Sequence, residues 1–468
     1  MNLVLLGVLV YVAIQLAIGL LVSRNMTSES EYFLAGRRLK FGIATMTVFA
    51  TWFGAETCIG SAGAVYEEGL AGGRADPFGY ALCIFFMGAL FAVPLWKRKL
   101  TTLGDLFRIR YSRRVEELAV LLMVPGSVMW AAAQIKAFGH VIDVTSDLGA
   151  GVGITVAAAV VITYTVAGGL LADAVTDVIQ GVALIIGLAV LFISGIYALG
   201  GVEGAVASVE PERLRVFSGD GLGMMERIEA WAIPIFGSVM SQELVARTLA
   251  ARSANVARAA TLTASGLYIC VGLIPAMLGL VGPALVPGLE DPEQLLPAAA
   301  MELLPTFLYI LFAGALISAI LSTVDSALLA ASALISHNLI VPFFKGANDR
   351  MKVRTARVTV VILGLIAYGL AWQSGGVYEL VEEASAFGSA GIFIVVVFAL
   401  FGKYGGNVAA FLSLAVGGAM WIFGSYVFEV SYPYLLSLLS AFLVYVIIGW
   451  FERTPPTPEL LPEASPSQ

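Results

Sequence analysis

The chain has 468 residues, 59% of them hydrophobic and 13% charged, with a net charge of −7 and a mean hydropathy of +0.90. A soluble domain carries roughly 25% charged residues, so most of this chain is expected to face lipid or other protein, and its acidic balance argues against nucleic acid. The three cysteines (Cys58, Cys83, Cys270) and the well-separated His140 and His337 make no metal spacing and no nucleophile–base pair, and no Walker-type loop, GxSxG or HExxH occurs, so neither catalytic residues nor a cofactor are expected.

A membrane span takes roughly 20 apolar residues. Suitable runs fall at 3–22, 41–64, 77–96, 115–140, 151–168, 174–199, 228–248, 258–283, 305–335, 355–372, 380–402, 406–428 and 431–451. This predicts an all-α membrane protein of about thirteen spans. The first run lacks a basic leader and reads as a retained helix rather than a signal peptide. The run 305–335 is too long for one perpendicular span, so tilt or a cytoplasmic extension is expected to absorb the excess. Placing the N-terminus outside puts most Lys and Arg in inner loops, among them Arg37, Arg38, Lys97, Arg98, Arg108, Arg247, Arg252, Lys352 and Arg354, while outer loops carry Glu67, Glu68, Glu203, Glu290 and Glu293. That predicts a multi-pass protein of the bacterial inner membrane with a cytoplasmic C-terminus. The tail from Thr454, rich in Pro, Glu and Ser, reads as disordered. The stretches near 200–226 and 284–304 are too short to fold alone, so function is expected at membrane depth.

Polar groups inside spans are costly and point to function. In the second run, Ala50-Thr51-Trp52-Phe53-Gly54-Ala55-Glu56-Thr57 interrupts an apolar helix with glycine and a carboxylate. A helix broken there would expose carbonyls able to ligate a cation. The alternative is a packed kink with Glu56 near the outer interface. Further on, Gly168-Gly169 marks a tight turn, followed by Asp173, Thr176, Asp177 and Gln180. Asp173 reads as a helix-terminal acid favoured by the dipole, whereas Asp177 lies deeper. In the ninth run, Ser318, Ser322, Asp325 and Ser326 fall near one helical face, with Thr323 at its border. Such hard oxygens with one carboxylate suit a monovalent cation; hydroxyls bonded back to their own helix are the alternative.

These segments, with Ser30-Glu31-Tyr32-Phe33-Leu34-Ala35-Gly36-Arg37 and Tyr164-Thr165-Val166-Ala167-Gly168-Gly169, resemble the sodium:solute symporter family over residues 1–450 or so. The resemblance implies a leucine-transporter-type core of two inverted five-helix repeats, here 41–199 and 228–402, flanked by a first helix and loop (1–40), an outer loop (200–227), two C-terminal helices (403–451) and the tail (452–468). It implies broken helices near Trp52 and Gly237. It also implies a sodium site from the carbonyls of Ala50, Phe53 and Ala319 with the hydroxyls of Ser322 and Thr323. A second sodium would sit among Asp177, Ser322, Asp325 and Ser326. The nearest branch is that of the high-affinity choline transporters, in which tryptophans cage a quaternary ammonium. Trp52 and Trp130 match two cage positions, Ser241 replaces a third tryptophan, and Glu56 and Glu243 stand where small uncharged residues are expected. The implied substrate set is Trp52, Glu56, Trp130 and Ser241, with Glu56 one turn above Trp52 in a continuous helix. The expected function is sodium-coupled uptake of a small amine-bearing solute in a lipid bilayer, with no obligate protein partner. A proton-coupled transporter of the same fold and a solute-sensing membrane protein are the alternatives.

Overall fold

Lipid offers backbone N–H and C=O groups no partners, so apolar runs satisfy them as helices. The computed structural model describes residues 3–23, 28–145, 149–217, 222–344, 346–373 and 375–452; Arg24 and the tail from Thr454 lie outside these. Each of the thirteen expected runs coincides with a helix or with a helix interrupted by a turn. By length and composition, eight described helices suffice to cross a membrane, or nine if Val377–Ala386 and Ser389–Phe401, bent by 41°, count as one span. Phe41–Trp52 is among the shorter apolar helices, because its run is broken.

The helix Thr306–Ala333 forms the centre. Every residue from Phe312 to Ala333 is buried. A helix enclosed on all sides touches protein rather than lipid, and its many Ala, Ser and Gly residues let neighbours approach closely. Leu170–Ala198, Arg113–Thr145 and Phe41–Trp52 pack against it. Helical structure does not end with the ninth run. The helix continues through Leu334–Ile340 to Phe343. There His337 Nδ1 lies 2.7 Å from Glu29 Oε1, its Nε2 lies 3.2 Å from Asp105 Oδ1, and the Lys352 ammonium donates to Glu29 Oε2 at 2.9 Å. His337, isolated in sequence, thus ties together three segments that the chain keeps far apart.

Two helices break at mid-length. Phe41–Trp52 stops at Phe53 (φ −96°, ψ 70°), and helical geometry resumes at Glu56 and runs to Glu68. A Cβ on Gly54 would lie 2.6 Å from both Glu56 Oε2 and Thr323 Oγ1, so only glycine fits the turn. The other break follows Gly237. Met224–Ala232 runs on to Gly237, and a new helix, Gln242–Ala250, starts after Ser241, whose hydroxyl accepts from Leu244 N at 3.5 Å. A Cβ on Gly237 would meet Ser385 O at 2.3 Å. Both breaks fall where the family resemblance implied. The ends of the two broken helices are joined below: Leu39 N donates to Ala250 O at 3.2 Å, and Arg252 N donates to Leu39 O at 3.0 Å.

Candidate functional site

The breaks place aromatic and hydroxyl side chains around a common centre. Trp52, the last residue before the first break, meets Trp130 edge-to-face, with ring centroids 4.9 Å apart and planes at 85°. Tyr80 closes on both, at 5.4 Å from Trp52 and 5.9 Å from Trp130. Its hydroxyl lies 2.9 Å from Ser385 Oγ, which accepts from Ser238 Oγ at 2.9 Å. Neither indole N–H has a hydrogen-bond partner. Sequence reasoning singled out the two tryptophans but gave Tyr80 no role.

A small cavity lies beside Trp52 and Trp130, lined also by Thr51, Ser241, Glu243, Thr323 and Ala327. A larger one adjoins it across Trp130, Ser241 and Glu243. Ser241 lines both. Glu56 does not line either cavity. Its expected position assumed a continuous helix, and the break at Phe53 and Gly54 turns it away. Glu56 is 0% exposed, and its Oε2 accepts from Gln134 Nε2 at 2.6 Å.

Below this centre, the central helix meets the first broken helix. Thr323 Oγ1 donates to Ala50 O at 3.4 Å. Ala50, Phe53, Ala319, Ser322 and Thr323 are all buried, and the helices Phe41–Trp52 and Thr306–Ala333 pack against each other. Ser322 also reaches the neighbouring helix, donating to Asp177 Oδ1 at 2.5 Å, while Thr47 donates to Asp177 Oδ2 at 2.5 Å. Asp177, Ser322 and Ser326 are thus close together. Asp325 is fully buried with neither carboxylate oxygen hydrogen-bonded. Ser318, expected on the same face, instead bonds Tyr11 of the first helix.

The reading of Asp173 and Arg247 requires correction. Asp173 does stand in the first turn of the helix Leu170–Ala198, but it is enclosed there with a partner, and Arg247 lies within the helix Gln242–Ala250 and is not an inner-loop cation. Asp173 is 0% and Arg247 1% exposed, and they form an ion pair. The guanidinium also donates to Thr51 Oγ1 at 2.8 Å and to Ser326. The turn at Gly168 and Gly169 is itself enclosed, with Leu170 buried, so the helix that follows begins inside the protein. One signal was available: Arg247 falls inside the expected span 228–248, where a cation needs a partner. The result is three buried aspartates, Asp173, Asp177 and Asp325, around a single arginine. Buried carboxylates beyond the number of fixed cations call for a mobile cation or for protons. Among the described residues no group of three or more His, Cys, Asp and Glu has the geometry to hold a metal ion.

Comparison with known proteins gives a consistent result. The model of the sodium:solute symporter family matches residues 32–417. The high-affinity choline transporter 1 of Drosophila melanogaster is 28% identical over 371 residues, covering 75% of this chain and 59% of that one. The chain thus spans less than two thirds of that relative's length. The sodium/pantothenate symporter of Escherichia coli is 24% identical over 462 residues, covering 94% of this chain and 95% of that one. Both are transporters and neither is an enzyme. Among solved structures, a Na⁺-coupled sialic acid symporter in a substrate-bound, outward-open state superposes with a TM-score of 0.85 at 17% identity, covering 97% of this chain and 98% of that one. At that identity the likeness speaks for the fold.

Proposed function

The chain belongs to the sodium:solute symporter family, and from that premise we propose that it couples uptake of a small amine-bearing solute (an amino acid, a betaine or a choline-like compound) to sodium by alternating access. The observation that carries this is one helix turn, Ser322-Thr323. It touches Ala50 on the first broken helix and Asp177 on a third helix, and Thr323 lines the cavity beside Trp52 and Trp130. A sodium ion held by the Ala50, Phe53 and Ala319 carbonyls with the Ser322 and Thr323 hydroxyls would join the two repeats, 41–199 and 228–402. Ion occupancy would then bias the repeats toward the arrangement that holds solute. A second sodium belongs among Asp177, Ser322, Asp325 and Ser326, where Arg247 already engages one ligand. The chain is read as lying in the bacterial inner membrane, N-terminus outside and C-terminus cytoplasmic, from the distribution of its basic residues.

The same aspartates favour one second reading, proton coupling, since a buried carboxylate can be neutralised by either ion. Uptake into proteoliposomes at fixed pH, with sodium replaced by potassium, separates the two. Sodium-dependent uptake of amines supports the proposal. Uptake that follows a pH gradient and ignores sodium refutes the coupling ion. Sodium-dependent uptake of a sugar or dicarboxylate, with no competition from amines, refutes the solute class.

A further inference from the structure

Resting on the amine reading above, we propose that Glu243, and not Glu56, is the counter-ion of the ammonium group on the transported solute. Glu243 is the second residue of the helix that restarts after the second break, and it lines both cavities that meet at Trp130. It is the one ionisable side chain among the described residues lining either cavity. It is only 7% exposed, and its Oε1 has no hydrogen-bond partner. The nearest fixed cation along the helix is Arg247, one turn on, and that guanidinium is engaged by Asp173, Thr51 and Ser326.

A carboxylate enclosed with one oxygen unpaired is costly unless a cation arrives to meet it. The other walls are chosen for the same visitor. Trp52 and Trp130 border the small cavity, and indole rings attract ammonium through their quadrupoles. Ser127, Ser238 and Ser385 supply only neutral hydroxyls in the larger one. Among the described residues no fixed positive group lines either space, so an anion would meet only repulsion from Glu243. Sequence alone favoured Glu56 because it follows Trp52 by four residues. The break hands that role to a carboxylate nearly two hundred residues away on the opposite broken helix. An ammonium solute held between Trp52 and Glu243 would touch both broken helices at once, which gives solute the same bridging position as sodium.

The experiment compares a charged probe with its uncharged shape. Full-length protein in detergent with saturating sodium is titrated with choline and with 3,3-dimethylbutan-1-ol, its neutral carbon isostere, reading thermal stabilisation; tetramethylammonium and glycine betaine serve as further ammonium probes. Wild type is expected to bind choline at least tenfold more tightly than the isostere. Glu243→Gln should weaken choline at least tenfold, about 1.4 kcal/mol, and leave the isostere within about twofold. Glu243→Asp, which keeps the charge, should preserve the order and shows the site intact should the Gln variant fold poorly. A choline preference undiminished in Glu243→Gln and abolished in Glu56→Gln overturns the assignment and leaves the amine reading standing. A wild-type protein stabilised by none of the ammonium probes overturns both.

Discussion

The pairing of Arg247 with Asp173 makes a prediction whose sign and asymmetry both follow from the structure. The guanidinium is 1% exposed and holds Asp173, Thr51 and Ser326 together, linking four helices. Breaking a buried ion pair from one side costs about 3–5 kcal/mol because the remaining charge is stranded. Arg247→Met strands Asp173 one turn from Asp177, and Asp325 lies on the same helix as the Ser326 that bonds Asp173, so the loss should lie near the upper end, about 5 kcal/mol. Asp173→Asn is milder, about 1–3 kcal/mol, because the arginine keeps an amide oxygen and other carboxylates nearby. The double substitution should be more stable than Arg247→Met alone. Sodium should rescue Arg247→Met more than it rescues Asp173→Asn, because a mobile cation can enter the vacated place. The assay is reversible unfolding in detergent across a sodium series, evaluated as a double-mutant cycle. Equal and additive losses, with coupling below about 0.5 kcal/mol, or a sodium response identical in both variants, would refute the reasoning.

Three further outcomes are expected. Gly54→Ala should abolish sodium-dependent stabilisation while leaving insertion intact, since its Cβ would press on Glu56 Oε2 and Thr323 Oγ1 at 2.6 Å and Gln134 Oε1 at 2.9 Å; a normal sodium titration of this variant would show that the turn tolerates a side chain. Replacing Ser322 and Thr323 together by Ala should raise the sodium concentration for half-maximal uptake at least tenfold, about 1.4 kcal/mol, whereas Thr323→Ser, which keeps the hydroxyl, should shift it less than threefold, under about 0.7 kcal/mol; an unchanged sodium dependence in the double variant removes these residues from the site. Asp177→Asn should bring the Hill coefficient for sodium toward one if a second ion binds there, and kinetics measured at several sodium concentrations would expose a coefficient that does not move.

Much of the architecture was legible because lipid imposes it. Apolar runs of the right length became helices, and both breaks appeared at the glycine-containing segments around Gly54 and Gly237, where local sequence already disfavoured a continuous helix. Ser322 and Asp177 could be paired in outline because family resemblance placed their helices together. What sequence concealed was anything decided by rotation about a break or by contacts between distant segments. Glu56 and Trp52 share a face only if the helix is unbroken; a two-residue break at Phe53 and Gly54 sends them to different neighbours. Arg247 counted as a loop cation because charge asymmetry treats every arginine near a span end as solvated. Its partner lies 74 residues earlier in the chain, and no periodicity connects the two. His337 illustrates the same limit: Glu29 and Asp105 converge on it from two separate short helices.

The surplus of carboxylates over fixed cations has an electrical consequence. Asp173, Asp177 and Asp325 outnumber Arg247 by two, and all three are buried within helices long and apolar enough to cross a membrane. One elementary charge moved through 100 mV exchanges about 2.3 kcal/mol with the membrane potential. Sodium arriving at the aspartates would cancel the surplus, so the loaded and empty forms of the carrier would feel the field differently. Voltage would then act chiefly on ion entry and on the return of the empty carrier. A step in potential would evoke a transient current in sodium alone, before any solute is added.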